Sequence, residues 1–164
     1  MSYPLYLLSF PFRASKINGT RTHWALFIPT TLQKPENGTL IQVLGTPFTG
    51  YGLEFKRNYD LSAVREKFNK NLLGQVDEKL VVFNTVGDDG TPSTDMKPRN
   101  EVEKLSKRVE VPGVSREPLN PGVGRRCQEW TREVIELLVE KEILDKDSIQ
   151  VLNQVKNLEL RIAE

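Results

Sequence analysis

Apolar positions along this chain fall into short strand-like runs in the first half and helical spacing in the last quarter. Five runs, at 5–10, 22–28, 39–44, 52–56 and 80–86, are rich in aliphatic, β-branched and aromatic residues. Turn-forming residues bound them: Asn18-Gly19, Pro29, Asn37-Gly38, Gly45-Thr46-Pro47 and Gly87-Asp88-Asp89-Gly90. Asn37-Gly38 between two of these runs is a hairpin signal, across a connection longer than a two-residue turn. Several runs are apolar on both faces, so the sheet they predict needs cover on each side.

Helical signals follow. Residues 62–73 read as a short helix, with Ser62 as N-cap and Gly74 as its stop. Residues 90–99 read as a loop and 100–109 as a short charged helix. Residues 111–124, with three prolines and three glycines, form a long connection of the kind that often serves as a lid or binding loop. Beyond Gly124 the pattern is clearest. Trp130, Val134, Leu137, Leu138 and Lys141 repeat at three-and-four spacing, and Cys127 lies on the same stripe one turn earlier. Glu129, Arg132, Glu133, Glu136 and Glu140 mostly fill the opposite side. A last helix runs from Asp147, as N-cap, to about Ala163, with Ile149, Leu152, Val155, Leu158 and Leu160 apolar. Together these elements predict one α+β domain over 1–164: a mainly antiparallel sheet with the Cys127 helix packed across it.

Composition narrows the chemistry. The balance of 23 basic and 22 acidic residues over 164 positions supplies no field that would attract nucleic acid or an anionic membrane. One cysteine excludes an intrachain disulfide, and with one histidine it cannot build a cysteine/histidine zinc site. No cofactor or metal is expected. Gly50-Tyr51-Gly52 lacks the third glycine and the strand-to-helix setting of a dinucleotide loop. Glu54, Asp60 and Asp77 are scattered, and Asp88-Asp89-Gly90 has the character of a turn rather than a metal loop. Glu54, Lys56 and Asn58 alternate on one strand face, as an exposed face by default or, alternatively, as a polar cluster near the site. The apolar start, residues 1–10, is short, lacks a basic segment and contains Pro4, and no run reaches membrane-spanning length. The expectation is an intracellular, cytoplasmic protein with a reduced thiol. Its oligomeric state is not encoded in any visible pattern.

Two singletons remain as candidate chemistry. Cys127 opens a helix, where the dipole and the neighbouring Arg125 and Arg126 favour a thiolate, and His23 in a strand is a candidate base. Each also has a plainer reading. A cysteine on an apolar helix stripe acts as a small buried hydrophobe. His23, alternating with Ala25 and Phe27, fits a hydrogen-bonded core histidine.

His23-Trp24-Ala25-Leu26-Phe27-Ile28, followed by Gly38-Thr39-Leu40-Ile41-Gln42-Val43, resembles the paired strands of permuted papain-like enzymes, the lecithin:retinol acyltransferase and NlpC/P60-like group. Arg126-Cys127-Gln128-Glu129-Trp130-Thr131 resembles the element in which that group's nucleophilic cysteine opens a helix, and the order, histidine before cysteine, is the permuted one. A further resemblance, to small fungal proteins, is carried by His23 to Pro29, Gly50 to Tyr59 and Arg125 to Trp130. The resemblance implies Cys127 as nucleophile, His23 as general base and Gln42 as the residue orienting the imidazole. Gln42 stands where the group usually has histidine, and Arg126 where it has asparagine. Backbone N–H groups at the helix start would then form an oxyanion hole. The activity implied is acyl transfer or hydrolysis of a small-molecule ester, amide or thioester through a thioester intermediate. The alternative is a cyclase, isomerase or binding protein of fungal secondary metabolism on the same scaffold, with its pocket among aromatic residues. Candidate substrate-binding residues are Trp24, Tyr51, Arg126 and Trp130. A protein-interaction role for the charged helices is the third possibility.

Overall fold

The runs at 5–10, 22–28, 39–44 and 52–56 all form strands in a computed structural model of the chain, which describes residues 1–11, 22–81, 88–120 and 122–163. The strands are β1 (Ser2–Phe10), β2 (His23–Pro29), β3 (Asn37–Thr46), β4 (Gly50–Asp60), β5 (Asn69–Asp77) and the short β6 (Ser93–Asp95). The helices are α1 (Glu78–Val81), α2 (Glu101–Arg108), α3 (Cys127–Glu140) and α4 (Asp147–Ala163). The strands join in one six-stranded sheet of order β5-β1-β2-β3-β4-β6, and every neighbouring pair is antiparallel. This is an α+β architecture.

Strand alternation sorts the apolar side chains into two separate cores. On one face lie Leu5, Leu7, Trp24, Leu26, Ile28, Ile41, Val43 and Phe55, packed with Val102 and Leu105 of α2, Trp130, Val134 and Leu138 of α3, and Leu152 of α4. This is the helix face. On the other lie Leu8, Phe10, Ala25, Phe27 and Leu40, covered by Leu61 and flanked by Val64 and Phe68. Adjacent strand residues point to opposite sides, so the two-sided apolar runs feed both cores at once.

Several local expectations give way to tertiary packing. The sequence predicts a helix over 62–73; instead a single 3-10 turn, Leu61–Ala63, is capped by Asp60, whose carboxylate accepts from Ser62 N–H at 3.0 Å. The chain then extends into β5, where Leu73 and Val76 supply the helix-face core. Gly74 is no helix stop: it lies in β5 opposite Leu5, and a Cβ there would meet Leu144 Cδ2 at 3.2 Å. Asn37 and Gly38 begin β3 rather than forming the turn, which spans 30–36 and is closed by Thr30 N–H donating to Asn37 O at 3.1 Å. Gly38 is required by close approach, because its Cβ would sit 2.1 Å from Ile28 O. The strand predicted at 80–86 starts as the end of α1; residues 82–87, like the turn at Asn18-Gly19, lie outside the described residues. The loop predicted at 90–99 contributes β6. Asp145, not Asp147, caps α4, its carboxylate accepting from Asp147 N–H at 2.9 Å.

The two helices anticipated best are α2 and α3. Asn100 caps α2 by accepting from Glu103 N–H at 2.9 Å, and α3 starts at Cys127. Lys141 falls just past the end of α3 and is exposed, whereas Ile135 joins the core. No described helix is long and apolar enough to cross a membrane.

Candidate functional site

Three strands carry a line of polar side chains across the face opposite the helices. His23, first in β2 and 8% exposed, stands beside Phe10, with ring centroids 5.8 Å apart. Its Nε2 lies 2.7 Å from Gln42 Oε1 of β3, and Gln42 Nε2 donates to Glu54 Oε1 of β4 at 2.7 Å. Gln42 is 1% exposed and faces Glu54 directly in the strand register. The carboxylate only accepts, so it fixes the amide with NH₂ toward Glu54 and the carbonyl oxygen toward His23. The imidazole therefore donates from Nε2.

Cys127 sits differently. Arg126 N–H donates to Glu129 Oε1 at 2.8 Å, closing the first turn of α3. Gln128 Nε2 donates to Thr22 O and Thr22 Oγ1, each at 3.0 Å, which sets the start of α3 over the start of β2. The half-buried Cys127 packs against the helix-face core. His23 alternates with Ala25 and Phe27, which lie in the core opposite the helices. The two elements meet, with the imidazole beside Phe10 and Gln42 and Cys127 against the helix-face core.

Three of the four expected substrate contacts are buried in the protein. Trp24 and Trp130 are fully buried on the helix face, where the Trp130 indole N–H donates to Val109 O at 3.2 Å. Arg126 is 1% exposed, and its Nη2 donates to Pro118 O at 3.2 Å and Asn120 O at 2.7 Å. It braces the loop before α3. Tyr51 lies partly exposed against the helix-face core, its N–H donating to Pro112 O at 3.0 Å.

Polar clusters surround these residues, and of them the sequence offers only Glu54, Lys56 and Asn58 as an alternative reading. Glu54 joins Gln42, a pairing hidden in the alternation of Glu54, Lys56 and Asn58. On the helix face, Arg57 bonds Glu103 Oε2 at 2.7 Å and both Asp95 oxygens at 3.0 and 3.1 Å, with Arg57 and Glu103 buried. Burial opposes the Arg57 charge, but the Glu103 and Asp95 bonds outweigh it and hold its pKa above the ordinary value. Burial likewise pushes the Asp95 carboxyl up; Arg57, the Lys97 N–H and Arg99 overcome this and leave it lowered. The Asp88 carboxyl is lowered by the Gly90 N–H, then by Asn58 and Arg99. Among the described residues, no group of three or more histidine, cysteine and acidic side chains is arranged to hold a metal ion.

Fold and site together define an α+β domain with a His–Gln–Glu line, buried at His23 and Gln42 and half-buried at Glu54, on one face of its sheet and the cysteine helix on the other. The chain matches the model of a family of unknown function, DUF6540, over residues 5–145, and belongs to that family. No curated protein and no solved structure matches it.

Proposed function

We propose that the protein is a small-molecule enzyme of the isomerase or cyclase type, with His23 as its proton-transfer group. The hydrogen-bonded line His23–Gln42–Glu54 carries this reading. An imidazole held through Nε2 presents one defined basic nitrogen, Nδ1, and a fixed ring plane, the two requirements of general acid–base catalysis. Gln42 stabilises imidazolium less than a directly bonded carboxylate would, which suits a group that both takes and returns a proton.

Incubation with a small-molecule extract, followed by chromatography and mass spectrometry, tests this. The expected result is a product of unchanged mass, or lighter by water, formed by the wild type and by Cys127→Ser but not by His23→Gln. Loss of turnover in Cys127→Ser with retention in His23→Gln overturns the proposal.

A second reading, acyl transfer through a Cys127 thioester, is favoured by one observation: the half-buried thiol begins a 14-residue helix, where the dipole favours a thiolate. The resemblance to permuted papain-like enzymes belongs to this reading. It requires a base other than an adjacent His23.

A further inference from the structure

The helix face holds a polar site that neither reading uses. Ser9 of β1, Trp24 of β2 and Gln128 of α3 are each more than nine-tenths buried, and Ser9 and Trp24 are direct neighbours in the strand register. Their donors converge on one carboxylate, that of Glu159 in α4. Ser9 Oγ and the Trp24 indole N–H donate to Oε1 at 2.5 and 2.9 Å, and Gln128 Nε2 donates to Oε2 at 3.2 Å. The three donors lie within residues 5–145, which the family shares, whereas α4 lies beyond that region.

The attachment of α4 is uneven. Leu152 and Val155 are in the core, and Arg132 Nη2 of α3 donates to Asn153 Oδ1 at 2.9 Å. Past Val155, Lys156 is half-buried while Asn157 and Leu158 are exposed, so among the described side chains Glu159 anchors the last turn.

We infer that Ser9, Trp24 and Gln128 form a recognition site for a small organic carboxylate, filled in cis by Glu159, and that the last turn of α4 is a strap which such a ligand displaces. The described donors are a hydroxyl, an indole N–H and an amide. All are neutral and spaced to bond both oxygens of one carboxylate, which suits a monoanion rather than a phosphate. A tethered carboxylate competes at an effective concentration of order millimolar or more, so free ligand binds the closed protein more weakly than the open one. The site is separated by the sheet from His23 and does not rest on the proposed acid–base chemistry.

The test follows the indole N–H resonances of the full chain during titration with sodium butyrate, against sodium chloride at equal ionic strength. Trp130, bonded to Val109 O, is the internal control. In Glu159→Ala the Trp24 resonance is expected to shift saturably, and in the wild type to shift alike only at about tenfold higher butyrate or more. At saturation, wild-type amides beyond Val155 are expected to exchange faster. No saturable shift in Glu159→Ala overturns the inference. So does a shift in Glu159→Ala with no response and a protected last turn in the wild type, because Glu159 is then a fixed structural partner. If Glu159→Ala does not fold, Glu159→Gln serves: half-saturation below the wild-type value supports the strap, and an equal or absent response overturns it.

Discussion

The two faces of the sheet treat their polar groups in opposite ways. On the helix face Arg57 is paired with opposite charges, those of Asp95 and Glu103. On the far face a titratable ring, His23, is held by a neutral amide, and the carboxylate of Glu54 stands one residue further away. Full charge pairing locks a structure in one protonation state; an amide-held imidazole keeps its proton exchangeable at one nitrogen. The first arrangement builds a fold, and the second is suited to chemistry.

Removing a charge from the helix face is expected to have the largest effect. Arg57→Met leaves Glu103 buried without its cation, and the expected loss is about 3–5 kcal/mol of stability, measured as a lower urea midpoint with an unchanged slope. A loss below about 1 kcal/mol would mean that the Arg57 cluster is not what ties β6 and α2 to β4. On the far face Gln42→Leu is expected to cost less, about 1–3 kcal/mol, from the unpaired His23 N–H and the unpartnered Glu54. The more telling readout is nitrogen NMR. The neutral imidazole is expected to be the Nε2–H tautomer in the wild type and to lose that preference in Gln42→Leu. A wild-type Nδ1–H tautomer would break the contrast between the faces.

Acid is expected to act through the helix face and its flanking loop. A carboxyl lowered on folding stabilises the native state fully above its unfolded value, near 3.8 for Asp95, and loses that contribution as pH falls through the folded value. Stability is therefore expected to drop on acidification below about pH 4. Asp95→Asn is expected to flatten part of the fall, and Gln42→Leu to leave it unaltered. An acid profile identical in Asp95→Asn and wild type would contradict the Arg57 cluster as its source.

What the sequence disclosed was local. Four strands, α2 and α3 follow from runs and caps that act within a few residues, such as Asn100 on Glu103. The β5 region misleads because Ser62 and Gly74 imitate helix boundaries, while Leu73 packs in a core assembled from distant elements and Gly74 makes room for Leu144. At the site, the pairing of Gln42 with His23 was implied by the resemblance to permuted papain-like enzymes, and the two side chains are in contact. The side of the sheet taken by α3 was not legible, because His23-Trp24-Ala25 offers apolar cover on both faces and only tertiary packing chooses between them. Glu54 showed only as the less favoured reading of a polar alternation, and Glu159 was invisible as a partner, since an acidic residue on a charged helix reads as solvated until its donors are in place.

The separation of His23 from Cys127 by the sheet is tested most directly by the rate of Cys127 alkylation with iodoacetamide as a function of pH, in the wild type and in His23→Gln. The expected result is two profiles with the same midpoint, because the imidazole does not share a face with the thiol. A midpoint raised by about one pH unit or more in His23→Gln, the mark of a lost imidazolium partner, would contradict the account and return the two residues to a single catalytic pair.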